Sequence, residues 1–245
     1  TSASHAAYFT GLWPKNNGIY DQFNSKLKVK NVFQTAKKNG YSTLFKTDFP
    51  FVLGKYLNLI KGVDDYIIED NEKFLKKLKS KKKVFSFIHF GQIHYPYGFH
   101  NLEFGGNDYI KKVKELEKKH KIDSNKINLE DMAVETFRTK KDLELLYTYK
   151  KIIAKLYSSG KDNDLFDLYL EGINYFHEKL FNSFLEKLLK QVKKENYLLI
   201  ISADHGEAWN NETYGHHNSL DEGVIRVPIL FYAKDVKSNV HPNRI

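Results

Sequence analysis

Tyr197 to Ala203 (YLLIISA) is a continuous apolar run rich in branched side chains, and it breaks off at Asp204-His205-Gly206-Glu207. Such a run suits a strand covered on both faces, because it leaves no alternate position for water. Lys82 to Phe90 (KKVFSFIHF) has the same form and also ends in polar residues. Val227 to Ala233 (VPILFYA) reads as another strand, with Pro228 confined to its start, where a missing donor is tolerated. Upstream, Val29 to Lys38 carries apolar residues at helical spacing and closes at Asn39-Gly40, and Tyr41 to Lys46 follows as a strand. Helices alternating with covered strands predict an α/β domain, and 245 residues suffice for one such domain spanning 1–245.

Between the second and third apolar runs the chain turns polar and helical. Ile110 to His120, Leu129 to Tyr157 and Leu165 to Lys194 all repeat apolar residues at helical spacing. In the last, Leu168, Leu170, Ile173, Phe176, Leu180, Phe184, Leu188 and Val192 form one stripe, expected to pack on the sheet. The segment from about Gly105 to Gly160 reads as an insertion forming a helical cap.

The chain has no cysteine, which excludes disulfides, thiolate metal sites and cysteine nucleophiles together. Any metal must use oxygen and imidazole ligands. The net charge of +9 favours anionic partners, but the lysines fall in helical stretches such as Lys76 to Lys83, without a nucleic-acid motif beside them. A solvated lysine-rich surface is expected, with no specific nucleic-acid binding. No apolar run approaches the roughly 20 residues that cross a bilayer. Because the chain opens at Thr1 with neither a Met nor a leader, a fragment or processed product is expected, with any membrane association residing upstream and a cytoplasmic placement favoured.

Four polar clusters carry the chemistry. Asp204 and His205, at a strand end, offer a hard oxygen and a nitrogen to a divalent ion. His89 to Pro96 (HFGQIHYP) follows a second strand, and Gly215-His216-His217-Asn218 forms the third cluster. The fourth is Thr1 to Pro14 (TSASHAAYFTGLWP), where hydroxyl residues precede a helical turn. Ser2 or Ser4 would serve there as an N-cap, and a helix N-terminus is also where an anion binds and a hydroxyl nucleophile gains from the dipole. Trp13, Tyr95, Tyr97 and Trp209 flank these motifs, with core packing expected for Trp13.

TSASHAAYFTGLWPKNNGIYDQ resembles the nucleophile segment of the sulfatase branch of the alkaline phosphatase superfamily. SADHGE with GHHNSLDEGVIRVPILFY is similar to that family's C-terminal metal motif and the stretch after it. FIHFGQIHYPY and YLEGINYFHEKLFNSFLEKL resemble a strand end and a helix of the same family, in the same order. The resemblance implies a central, mostly parallel sheet flanked by helices. It implies Thr1 as nucleophile and metal ligand, with Asp204 and His205 as further ligands of one divalent ion: Mn, Mg, Ca or Zn. It places His94 and His217 as catalytic groups, and His5, His89 and His216 in substrate binding. His216 and His217 are both retained for the position of a substrate-binding Lys in relatives.

The departures refine that expectation. Sulfatases need a Cys or Ser convertible to formylglycine, and Thr1 cannot give that aldehyde. A phosphoryl ester is therefore the expected substrate, attacked through a covalent Thr1 intermediate and released to water or another acceptor. A sulfatase proper, a non-catalytic anion-binding member of the fold and an N-terminal-nucleophile amidohydrolase are the alternatives. Two-metal relatives carry a D-x-x-x-H pair, but Ile173 stands four residues before His177, so one metal rather than two is expected. The family's first strand, with its acidic ligands, is expected to lie outside this chain.

Overall fold

The computed structural model describes residues 1–21, 25–50, 52–94, 115, 118–119, 121, 163–192, 196–209, 214–216, 220–234 and 236–240. The first part of the chain contains helices α1 (Ser2–Thr10), α2 (Pro14–Asn17) and α3 (Val32–Lys38), then strand β1 (Ser42–Thr47). Strand β2 (Asp65–Ile68), helix α4 (Asn71–Lys79) and strand β3 (Val84–Ile88) follow. The second part holds α5 (Asn163–Tyr175), a π-helical turn (Phe176–Phe181) and α6 (Asn182–Gln191). Then come β4 (Leu199–Ser202), β5 (Ala208–Trp209), β6 (Tyr214–Gly215), α7 (Glu222–Ile225) and β7 (Ile229–Tyr232). The expected helical cap lies almost wholly outside the described residues.

Asn31 sets the start of α3 through a capping box, its side chain accepting from the Gln34 amide while the Gln34 side chain accepts from the Asn31 amide. The helix therefore begins three residues later than the apolar spacing suggested. Strands β2, β1 and β3 form a parallel sheet in that order. β1 is central and sends alternate side chains to opposite faces. Phe45 packs with Phe9, Phe33 and Leu53 under α1 and α3, while Leu44 packs with Phe74, Leu75, Phe184 and Leu188 under α4 and α6. Edge-on contacts at 4.9–5.7 Å join Phe9 to Phe33, Phe45 and Phe87, each adding about 0.5–1.5 kcal/mol beyond the area buried.

β4 and β7 pair antiparallel as a separate two-stranded element. Leu199 packs toward the α4 and α6 core, but Ile200 and all four residues of β7 are exposed. Coverage on both faces, expected for these apolar runs, is instead found at β1, whose sequence STLFKT has four polar residues in six. Burial is possible there because Thr43 donates to the Gly62 carbonyl and Lys46 pairs with Asp48. Within the expected stripe, Leu168, Phe184 and Leu188 are buried, whereas Leu170 faces outward. Trp13 is 75% exposed rather than part of the core.

Candidate active site

The strand ends and the start of α1 converge on one cluster. Thr1 is the residue preceding α1, but its side chain makes no capping bond and its Oγ1 lies 3.3 Å from His205 Nε2. Neither Ser2 nor Ser4 caps this helix; Ser2 is buried and donates to the Val52 carbonyl. Tyr8 donates from its hydroxyl to the Ala203 carbonyl at 2.7 Å, fixing α1 against the end of β4. Asp204 Oδ2 stands 3.5 Å from His205 Nε2 and 3.6 Å from His5 Nδ1.

Burial opposes the Asp204 charge, yet the facing His5 and His205 outweigh it and hold the carboxyl at about 2. Asp204 is therefore ionised at any ordinary pH. Burial pushes His205 below its usual range against the pull of Asp204, so its imidazole is neutral at pH 7. Its Nδ1 donates to the Gly206 carbonyl, an atom that only accepts, and Nε2 thus carries the lone pair toward Thr1 and Asp204.

These donors fit a divalent ion. Two atoms bound tetrahedrally at zinc-type distances lie about 3.4 Å apart, and the Thr1–His205 and Asp204–His205 separations are 3.3 Å and 3.5 Å. One anionic oxygen, one hydroxyl and one imidazole lone pair are the donor set that cysteine-free chemistry allows.

His5 is 3% exposed, donates from Nδ1 to the Thr1 carbonyl at 2.8 Å, and packs on Phe9, Phe87 and His89. It thus lies beneath Thr1 and steadies it from inside the protein. His89 continues the β3 ladder, donating its amide to the Lys46 carbonyl, and its Nδ1 is 3.4 Å from Thr47 Oγ1. On the other side, His94 packs against Phe49, and the rings of His94, His205 and His216 gather with centroids 4.1–6.2 Å apart. His217 lies outside the described residues.

Three contributors escaped the sequence reading. Lys46 and Asp48 form a buried ion pair at 2.5 Å; Lys46 also donates to the His89 carbonyl, and Asp48 accepts from the Gly91 amide. The pair clamps the loop that carries His89 and His94. Its signal was a Lys two residues before an Asp at a strand end, which places both on one face. Glu207, read only as part of a polar motif, accepts from His216 Nδ1 at 3.0 Å.

Gly206 holds the Asp204–Glu207 turn against α7, its amide donating to the Val224 carbonyl at 2.7 Å. A Cβ there would collide with the Gly223 carbonyl oxygen. Gly206→Ala is expected to destabilise the protein by roughly 1–3 kcal/mol and to displace Asp204 and His205. Thermal unfolding combined with a cation-binding titration checks this; unchanged affinity would show that the turn tolerates the shift.

The sulfatase family profile matches residues 1–244. No curated protein matches the chain. Among solved structures, it is similar to the C-terminal periplasmic domain of EcEptC from Escherichia coli in complex with Zn, with 13% identity and a TM-score of 0.38. That alignment covers 95% of this chain, which spans 57% of the other. No helix among the described residues is long and apolar enough to cross a membrane. With the Thr1 segment, both strand-end clusters and the C-terminal motif inside one match, the chain belongs to the sulfatase family.

Proposed function

We propose that this protein is a divalent-metal-dependent hydrolase or transferase of anionic esters, with phosphoryl esters preferred. The supporting observation is the approach of the Thr1 hydroxyl to the lone pair of His205, beside an Asp204 held ionised. A bound cation supplies the charge that acidifies a hydroxyl and balances the anionic ester. Thr1 Oγ1 gives up its proton to solvent water and bonds to phosphorus, while the bond from phosphorus to the leaving oxygen breaks. His94 or His217 delivers a proton to that oxygen. Water or an acceptor alcohol then attacks the Thr1 ester, releasing the phosphoryl group and restoring the hydroxyl. The preference for phosphorus rests on Thr1, which cannot form the aldehyde that sulfatases use.

The test compares aryl phosphate, phosphate diester and aryl sulfate across Mg, Mn, Ca and Zn. Metal-dependent phosphoryl turnover, lost in Asp204→Ala, is expected. Turnover of aryl sulfate alone would overturn the phosphoryl assignment, and anion retention without turnover would make the protein a binding member of the family.

A further inference from the structure

We infer that His94, His205 and His216 form a three-imidazole site for a zinc-type cation, so that the ion this chain selects is a nitrogen-seeking one rather than Ca or Mg. The inference rests on the preceding reading only in taking His205 as a ligand. One ligand atom from each histidine lies within 4.8 Å of the others. A closed tetrahedral site needs about 3.4 Å between nitrogens, a gap that small ring rotations close. The ring centroids lie 4.1 Å apart for His205 and His216, 4.9 Å apart and edge-on for His94 and His216, and 6.2 Å apart for His94 and His205.

The second observation is Glu207. Its side chain is 7% exposed, and Oε1 accepts from His216 Nδ1 at 3.0 Å. A carboxylate only accepts, so Nδ1 carries the hydrogen and Nε2 becomes the lone-pair nitrogen. This carboxylate–imidazole arrangement fixes the tautomer and raises the basicity of a ligating histidine. Among the described residues, the other oxygen, Oε2, is buried without a hydrogen-bond partner. A cation held by His216 would place positive charge beside this carboxylate.

Three imidazoles shift selectivity toward Zn, Co, Ni and Cu and away from hard ions, which prefer six or more oxygens. An ion in this place occupies the His94 lone pair, leaving His217 as the proton donor to the leaving oxygen. Asp204 and Thr1 then bound the same ion on its oxygen side.

The experiment titrates the full chain with Co(II), reading its visible absorption and the ions bound per chain, with circular dichroism confirming the fold of each variant. Wild type is expected to give the intense bands of a four- or five-coordinate ion. His94→Ala and His216→Ala should weaken binding by roughly a hundredfold, and Glu207→Gln by about 10–100-fold, with excess Ca or Mg failing to compete. Asp204→Ala should retain the nitrogen-type spectrum at reduced affinity. Loss of binding in Asp204→Ala, with His94→Ala and His216→Ala unaffected, would overturn the inference while sparing the ester reading. Weak octahedral bands displaced by Mg would overturn it likewise. Metal-dependent turnover absent despite the nitrogen-type spectrum would instead sink the ester reading and leave this site standing.

Discussion

Thr1→Ala is expected to abolish ester turnover, by roughly a thousandfold or more, without unfolding the protein. The reasoning separates the residue's two parts. Its carbonyl accepts from His5 and from the His5 amide, and both contacts survive the substitution. Its hydroxyl makes no capping bond and approaches only the reactive cluster among the described residues. The lost atom is therefore the one proposed to attack. Thr1→Ser keeps that oxygen and should keep turnover, and mass spectrometry of a quenched reaction should find a phosphoryl adduct at position 1 in wild type and in Thr1→Ser but not in Thr1→Ala. Full activity in Thr1→Ala would remove the covalent step and leave water as the nucleophile.

Lys46→Met should produce the largest loss of stability, about 3–5 kcal/mol, and should lower activity by freeing the loop that carries His89 and His94. Lys46 is 1% exposed, and burial pushes its ammonium below the usual lysine range in spite of Asp48. Removing it leaves Asp48 as a buried charge without its counterion, and releases the His89 carbonyl. Two consequences follow at once. The protein loses stability through the orphaned carboxylate, and the loop from His89 to His94 loses one of its side-chain anchors. Lys46→Met combined with Asp48→Asn removes both charges but keeps an acceptor for the Gly91 amide. It should recover most of the stability, because a neutral pair carries no desolvation penalty of that size. Denaturant unfolding of the three proteins decides this, and equal losses in the single and double variants would show that the ion pair is not the source.

Much of the site was legible because its residues stand at sequence boundaries that have a physical cause. A strand must end where its apolar run ends, and the backbone beyond it is where ligands reach the sheet. Asp204, His205, His89 and His94 were singled out in this way, and Thr1 through the family resemblance. Lys46 was passed over because an isolated Lys in a strand reads as an outward residue, and only Asp48 and the cover of Phe90 show that it points inward. The expectation of covered strands failed at β7 for a related reason. Apolar composition states what a strand could bury, whereas burial depends on what packs over it.

The residues alone thus determined the α/β class, the order of the motifs and the chemical types at each strand end, since these depend on local periodicity and on donor identity. The tertiary structure alone decided that β1 is the covered central strand and that His5 lies beneath Thr1 rather than at the surface. It also brought Glu207 to His216, and His216 to His94 and His205. Those pairings follow from no helix or strand spacing, even where the partners stand nine residues apart as Glu207 and His216 do: contact there is set by packing, which only the folded chain expresses.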